Sequence, residues 1–394
     1  MPRVPTVAVW IETSRAYGRG LIEGVSQYVH RHGPWSIYFT PHGLDAALPQ
    51  WLCSWRGDGI LARIDNLKMA RALLATKLPL IDLRGRLPGL GVPVVGLQNQ
   101  PVAQMAFEHL RARGFRHYGF YGLARGEHVH MDQRCDYFVE QVTQAGFACH
   151  VFEVPRGAGA KSWDRRQRHL AQWLRRLPRP IGLMCCNDDQ GQQLLDTCVR
   201  SSIAVPDEVA VISVDNDQVL CNICTPPLTS IDVNPARIGY QAAGLLAQMM
   251  RRPRAKSENL HFAPSHVVTR QSTDTLAVDD PLAAAALRFI RLHACRGIVV
   301  GDVVSAVAAS RRLLERRLQS AVGRTPHAEI MRVRIERATQ LLLDTDLSLA
   351  SVAAQAGFVG PKYFCDAFCR EKGMPPGTFR RQSRGTVVPG EGGD

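Results

Sequence analysis

The sequence predicts an α/β fold, a two-lobed domain with parallel sheets, followed by an all-α domain with two helix-turn-helix units. Three observations carry this expectation. Over the first 275 residues, short apolar runs alternate with segments of helical period. From about Ala283 to Gln382 the period is helical throughout. Within that second segment one layout occurs twice: Leu314, Leu318, Gly323 and Pro326 recur fifty residues later as Phe364, Phe368, Gly373 and Pro376.

Taken in order, VAVWI, GILARI, PLIDL, VPVVGL, HYGFYGL, CHVFEV, IGLMCC and VAVISV each suit a strand buried on both faces. Between them lie helical stretches such as RGLIEGVSQYVHRHG, PVAQMAFEHLRARG and WDRRQRHLAQWLRRLP. Alternation of this kind implies parallel sheets with right-handed crossovers, and the number of runs suits two sheets rather than one. KSENLHFAPSHVVTRQST reads as a closing, hairpin-like stretch. The expected divisions are a two-lobed α/β domain over 1–275, a linker over 276–282, a helical domain over 283–384 and a disordered tail over 385–394. The run DRRQRHLAQWLRR is the solvated face of an amphipathic helix.

In the helical part, VVSAVAA packs as a short helix, Ser310 is a good N-cap for the next, and Leu314 and Leu318 give that helix its buried face. Arg311, Arg312, Glu315 and Arg316 are left outside. A second helix that presents long polar side chains while its apolar face holds it to the first is the arrangement that reads a major groove. In the downstream copy Gly357 supplies the permissive turn, Phe358 plugs the core and Pro361 sits in the first helical turn, where its missing N–H costs nothing. Lys362 projects outward and Tyr363, Phe364 and Phe368 supply aromatic bulk. EIMRVRIERATQLLLDT is a stiff connector whose Ile335, Ala338, Leu341 and Leu342 can face both units.

Charge agrees with this division. The chain of 394 residues carries a formal charge of +13, and 281–384 alone holds 17 Lys and Arg against 8 Asp and Glu. A polyanion-binding module concentrates positive charge in this way. No run approaches the roughly 18 uninterrupted apolar residues of a membrane helix, and the start of the chain runs straight into a strand pattern, so the expected location is the cytoplasm. Eleven cysteines, an odd number, sit mostly in apolar contexts as buried thiols. Cys221 and Cys224, and Cys365 and Cys369, lack a second ligand pair at zinc-like spacing, and His128 and His130 are too close together, so no metal is expected. Gly-rich phosphate loops are absent, and no cofactor is implied.

The 100 residues of the helical segment resemble the AraC/XylR-type DNA-binding domain. Leu349, Val352, Ala353, Gly357, Phe358, Tyr363, Phe364, Phe368, Gly373 and Pro376 stand at the spacing of that family's signature, and RIERATQLLLDT matches its connecting helix. Ala308 stands where the first turn often has Gly, Asp366 where many members carry a polar or basic residue, and Phe379-Arg380 in place of Tyr-Arg. Residues 6 to 275 resemble the periplasmic-binding-protein-like effector domain of the lactose and galactose repressors, most clearly at CCNDDQGQQLL and at VAVISVDNDQVLCNICTPPLTSIDVNPARIGYQAAGLL. The combination is similar to the xylose-operon family of regulators. That resemblance implies double-stranded DNA and a sugar effector as partners, a homodimer, contact with RNA polymerase if the regulator activates, and no membrane.

Ligands of two-lobed α/β folds sit outside the carboxyl ends of the strands. The candidate effector residues there are Tyr17, Arg63, Gln98, Arg134, Asn187, Asp188, Asp215 and Asn216, planar polar groups able to chelate neighbouring hydroxyls among them. The resemblance places Arg134, Asn187 and Asp215 on sugar-binding positions; helix capping is the alternative for each. Gln98 replaces the Asp common in the family, so the preferred sugar need not be xylose. The candidate DNA-binding residues are Ser310, Arg311, Arg312, Glu315, Arg316, Pro361, Lys362 and Tyr363. A catalytic alternative rests on Cys185 and Cys186 near a strand-to-helix turn, as in amidotransferase-like domains. The flanking glycines of a nucleophile elbow are missing there, so no catalytic residue is expected.

Overall fold

Apolar β-branched runs separated by turn residues organise the first two-thirds of the chain into two parallel sheets. The computed structural model describes residues 3–383 except 45, 127, 155–162, 253–257 and 276–279. The first lobe takes β1 (Thr6–Trp10), α1 (Ala16–His32), β2 (Ser36–Phe39), α2 (Gln50–Cys53), β3 (Gly59–Ala62), α3 (Leu67–Ala75), β4 (Leu80–Asp82) and β5 (Val95–Leu97). Its four-stranded sheet has the order β2-β1-β3-β4, all parallel.

At Gln98 the chain crosses into the second lobe. There follow α4 (Asn99–Arg111), β6 (His117–Tyr121), α5 (Val129–Gln144), β7 (Cys149–Val151), α6 (Trp163–Arg176), β8 (Ile181–Cys185), α7 (Asp188–Arg200), β9 (Val209–Val214), α8 (Gln218–Ile223) and β10 (Thr229–Asp232). A second crossing leads back to α9 (Pro235–Arg251) and β11 (Leu260–Phe262), and a third to β12 (His266–Val268). The second sheet runs β12-β10-β9-β8-β6-β7, parallel except for β12. All six residues of β9 and all five of β8 are buried, as strands covered by helices on both faces must be.

The stretch expected to close as a hairpin does not. β11 pairs in parallel with β5 in the first lobe, whereas β12 pairs antiparallel with β10 in the second. The segment between them is a lobe crossing. The Phe262 carbonyl accepts from Gln98 N–H at 2.8 Å and the Asp232 carbonyl from Ser265 N–H at 2.7 Å, so the crossings are tied to one another. In the first lobe α1 and α9 pack backbone against backbone. A Cβ on Gly24 would stand 1.9 Å from the Ala236 carbonyl oxygen and one on Gly239 2.0 Å from that of Leu21, so neither position has room for a side chain.

The helical domain starts at Pro281, where Asp280 caps α10 (Pro281–His293) by accepting from Ala283 N–H at 2.9 Å. The helix therefore begins inside the stretch read as a linker; 276–279 and the tail over 385–394 lie outside the described residues. The remaining helices are α11 (Val300–Ala306), α12 (Arg311–Val322), α13 (Pro326–Asp344), α14 (Leu349–Gln355), α15 (Pro361–Lys372) and α16 (Pro376–Ser383). Two cores result. Leu314, Leu318 and Val322 pack with Ala286, Leu287, Ile290 and Ile330, and Val352, Phe358, Phe364 and Phe368 pack with the connector's Ile335, Ala338, Leu341 and Leu342. Those four connector residues belong to the downstream unit alone. The upstream unit is served instead by Ile330 and Val333, half a helical turn round and nearer the start of α13.

Arginines join the two domains. Arg116 donates to the Ser320 carbonyl at 3.1 Å, Arg324 to the Ala112 carbonyl at 3.4 Å and Arg291 to the Thr275 carbonyl at 3.1 Å. Within the helical domain, Asp280 at the start of α10 pairs with Arg317 of α12 at 2.9 Å. Arg324 and Arg332 both hold the fully buried carboxylate of Glu329, at 2.9 and 2.8 Å.

Candidate effector cleft and DNA-reading surface

Strand ends from both lobes meet across a cavity of about 990 Å³. Tyr17 reaches it from the first turn of α1, Arg63 from the end of β3, Gln98 from the end of β5, Arg134 from α5 and Asp215 from the end of β9. Five of the eight residues named from sequence thus line one cavity. Arg134 is buried and donates to the Cys186 carbonyl and to Asn99 Oδ1, the latter at 3.3 Å. Arg63 pairs with the buried Glu12, and its guanidinium lies 5.1 Å from the centroid of the Tyr17 ring. Burial pushes the Tyr17 hydroxyl up to about 12, against the field of Arg63.

Asp215 and Asn216 follow β9 with φ of 108° and 52°, two successive non-glycine residues in left-handed conformations. Strain of this kind is held only where surrounding contacts fix it. Asn216 supplies them: its side chain donates to Asp232 at 3.0 Å and accepts from Arg270 at 2.9 Å, and its N–H donates to Ser230 Oγ at 3.0 Å. Burial pushes the Asp215 carboxyl up, the charge of Asp188 adds to this, and Arg134 opposes it.

Asn187, Asp188 and Asn216 are not part of the cavity wall. Asn187 caps α7, accepting from Gln190 N–H at 3.1 Å. Asp188 is buried beneath the sheet, where Ser213, Ser230 (2.6 Å) and the Asp217 N–H (2.7 Å) donate to it.

Other wall residues were not named as effector contacts from sequence. Arg84 enters from the loop after β4, pairs with Asp65 at 2.6 Å, and has its Nη2 3.4 Å from His128 Nδ1. Burial first and the field of Arg63 second bring Arg84 down to about 10. His128 and His130 stand at the start of α5, and burial with the surrounding arginines keeps His128 down at about 4 and His130 well below its ordinary value. The signal for Arg84 was a charged pair around a glycine, Arg84-Gly85-Arg86, directly after a strand. Arg15 bridges the lobes by pairing with Asp189 at 2.6 Å.

Cys185 and Cys186 are fully buried, and burial pushes the Cys186 thiol up to about 12 and Cys185 well above its ordinary value. A nucleophilic cysteine requires the opposite shift.

In the helical domain, Ser310 caps α12 by accepting from Leu313 N–H at 3.3 Å. Arg311, Arg312 and Arg316 are exposed on that helix, Arg311 held by Glu315 at 3.0 Å. Pro361 opens α15, Lys362 is exposed, and Tyr363, 45% exposed, lies edge-on to Phe358. The turn before α12 places Ala308 at φ 50°, and the turn before α15 places Gly357 at φ 81°. A Cβ on Gly357 would also meet the Ala294 carbonyl at 2.7 Å. Both turns place a left-handed residue directly after the C-cap of the first helix, alanine upstream and glycine downstream, and the downstream turn is one residue longer.

Comparison with known proteins agrees with this architecture from end to end. Residues 6–87 match the model of the XylR N-terminal domain, 107–273 that of a periplasmic binding protein-like domain, and 303–382 that of a helix-turn-helix domain. The xylose operon regulatory protein of Haemophilus influenzae is 30% identical over 95% of this chain and 97% of its own length, and that of Escherichia coli K12 is 29% identical over 95% and 96%. A solved structure described as xylose-binding transcription activator xylR is 28% identical, with a TM-score of 0.61 over 96% of this chain and 98% of that one. A CelR–cellobiose complex, 19% identical with a TM-score of 0.54 over 69% of this chain and 86% of that one, shares the fold of the first domain. A sugar-effector domain and a helix-turn-helix DNA-binding domain in one polypeptide make a transcriptional regulator rather than an enzyme, and the chain belongs to the family of the xylose operon regulatory proteins.

Proposed function

We propose that this regulator binds a pentose of the xylose type in the inter-lobe cleft and, as a homodimer, activates transcription by placing its α12 and α15 in successive major grooves beside RNA polymerase. The observation that carries the reading is the course of α4. Gln98 and Asn99 at its start border the cleft, and Ala112, directly after its last residue, meets Arg324 of the helical domain. A rigid helix of 13 residues spans about 20 Å at 1.5 Å per residue, so one element runs from the cleft to the helical domain. Tyr17, Arg63, Gln98, Arg134 and Asp215 are the effector contacts. Arg312, Arg316 and Lys362 read or flank bases, with Arg311, Glu315, Ser310, Pro361 and Tyr363 shaping the two reading helices. Sugar that prefers the closed cleft shifts the placement of the helical domain by the difference in its affinity for the two states. Names of relatives support xylose and activation.

The test is calorimetric titration of the full chain with pentoses and hexoses, beside a gel shift on its own promoter with and without the sugar that binds. Sugar binding that leaves DNA affinity and reporter output unchanged refutes the coupling. DNA binding without any sugar binding refutes the effector assignment.

A further inference from the structure

The turn after β9 carries three consecutive residues with three different partners. Asp215 lines the cavity. Asp217 meets the opposite lobe, where its carboxylate accepts the Ala16 N–H at the start of α1 at 3.3 Å and lies 3.7 Å from Arg19. Asn216, between them, is bonded away from the cleft, to Asp232 and Arg270. With φ of 108° at Asp215 and 52° at Asn216, the turn needs such outside contacts to keep its shape.

Asp232 ends β10, at the second crossing between the lobes. Both of its carboxylate oxygens are in use: Oδ2 accepts from the Asn216 amide at 3.0 Å and Oδ1 from the Asn234 N–H at 2.7 Å. Its carbonyl accepts from Ser265 N–H, on the third crossing, at 2.7 Å. Asn234 is itself left-handed, with φ of 47°, and caps α9 by accepting from Arg237 N–H at 3.0 Å. One carboxylate thus joins the turn that carries Asp215 to the point where the chain re-enters the first lobe. Arg270, just beyond β12, holds Asn216 from the other side: Nη2 donates to Asn216 Oδ1 at 2.9 Å, Nη1 to the Leu228 carbonyl at 3.0 Å and Nε to Asn222 of α8 at 3.1 Å.

We propose that Asp232, Asn216 and Arg270 are positioning residues for the effector: they fix the left-handed turn that presents Asp215 to the cleft and lock that turn to the second lobe crossing. None of the three lines the cavity, so each acts through Asp215. A hydroxyl bound to Asp215 is thereby connected, through two side chains, to the place where the lobes swing. This rests on the reading of the cleft as the sugar site.

The test uses the direction of the hydrogen bonds. Asp232→Asn keeps the shape but leaves one acceptor oxygen where two donors arrive, and Asn216→Asp sets two carboxylates against each other. In the double variant Asp232→Asn/Asn216→Asp every bond returns with amide and carboxylate exchanged: the new amide donates across the pair and keeps its oxygen for Asn234 N–H, and the new carboxylate still accepts from Arg270. Calorimetry of the full chain with D-xylose is read beside the melting temperature without sugar. Each single change should weaken xylose at least about tenfold, and the double should return to within about threefold of wild type, which additive effects cannot produce. Single changes that lower the melting temperature but leave xylose affinity unchanged would show a merely structural role and overturn the proposal, as would a double variant no better than either single one. Where a single change prevents folding, Arg270→Lys, milder because it keeps the charge, carries the same expected loss and the same refutation. A wild type that does not bind D-xylose overturns the reading of the sugar site, and this proposal with it, an outcome distinct from a wild type that binds and variants that bind equally well.

Discussion

Replacing Glu329 by Gln removes one charge from a buried junction and should destabilise the helical domain selectively. Glu329 lies in the first turn of α13, fully buried, with Arg324 Nε at 2.9 Å, Arg332 Nε at 3.0 Å and Arg332 Nη2 at 2.8 Å. Burial alone pushes its carboxyl up, but Arg332 and Arg324 together outweigh burial and hold it below the ordinary value. Removing one partner of a buried ion pair costs about 3–5 kcal/mol. Two features reduce that here: Arg332 keeps Glu336 at 2.9 Å, and Arg324 is 26% exposed and can turn to water. A loss of about 2–3 kcal/mol is the expected result, which lowers the melting temperature of a domain of about 100 residues by roughly 8–20 °C. Differential scanning calorimetry of the full chain should show one transition moving and the other holding. The sign with pH is fixed as well. A carboxyl held low when folded stabilises above its ordinary value and loses that contribution as pH falls through the folded value, so wild type should converge on the variant only at acid pH below the ordinary carboxylate range. A shift of under about 2 °C at neutral pH would refute the reasoning, because it would mean that the arginines are equally well served by a neutral amide.

Three further outcomes follow from the same geometry. Ala308→Gly should stabilise the upstream unit by about 0.5–1 kcal/mol, since relief of a left-handed alanine outweighs the entropy glycine loses on folding, and chemical denaturation with a probe on α12 reads it. Arg312→Ala should cost about 1–3 kcal/mol at the operator and less on random DNA; equal losses in fluorescence anisotropy would make the residue a phosphate contact only. Asp215 has its carboxyl pushed up by burial, so it favours the folded state when protonated and that stabilisation fades as pH rises above the ordinary carboxylate range. Asp215→Asn should therefore flatten the fall in unliganded thermal stability between about pH 4 and 7 while weakening sugar binding, and a variant as pH-dependent as wild type would contradict this.

The helix-turn-helix units were legible because their punctuation is local. Ser310, Gly357, Pro361 and Gly373 mark ends by backbone chemistry alone, and leucines or phenylalanines four apart mark faces. Strands buried on both sides were legible as apolar runs, whereas β2, with exposed Ile37 and Tyr38, carries no such run. The cleft was legible only as a set of loops. A strand end says which residue leaves the sheet, not where its side chain turns: Asn187 turned to cap its own helix, and Asp188 was drawn inward by two serines from neighbouring strands. His128 and His130 were weighed against metal spacing, which their place on the cleft wall does not require. The supposed hairpin around Pro264 failed because pairing partners far apart in sequence, β5 and β10, decided where its two halves went.

The arginines at the domain junction have a consequence for how such a protein can change over time. Arg116, Arg324 and Arg291 each grip a main-chain carbonyl, of Ser320, Ala112 and Thr275. A carbonyl is present whatever side chain its residue bears, so the receiving residues of these three contacts can drift in sequence without loosening their hold, whereas the three donors cannot. Saturation mutagenesis should therefore find a lopsided boundary, intolerant at the arginines and permissive opposite them. A lineage could exchange the sugar module for another of similar backbone course and keep its grip on the reader of DNA.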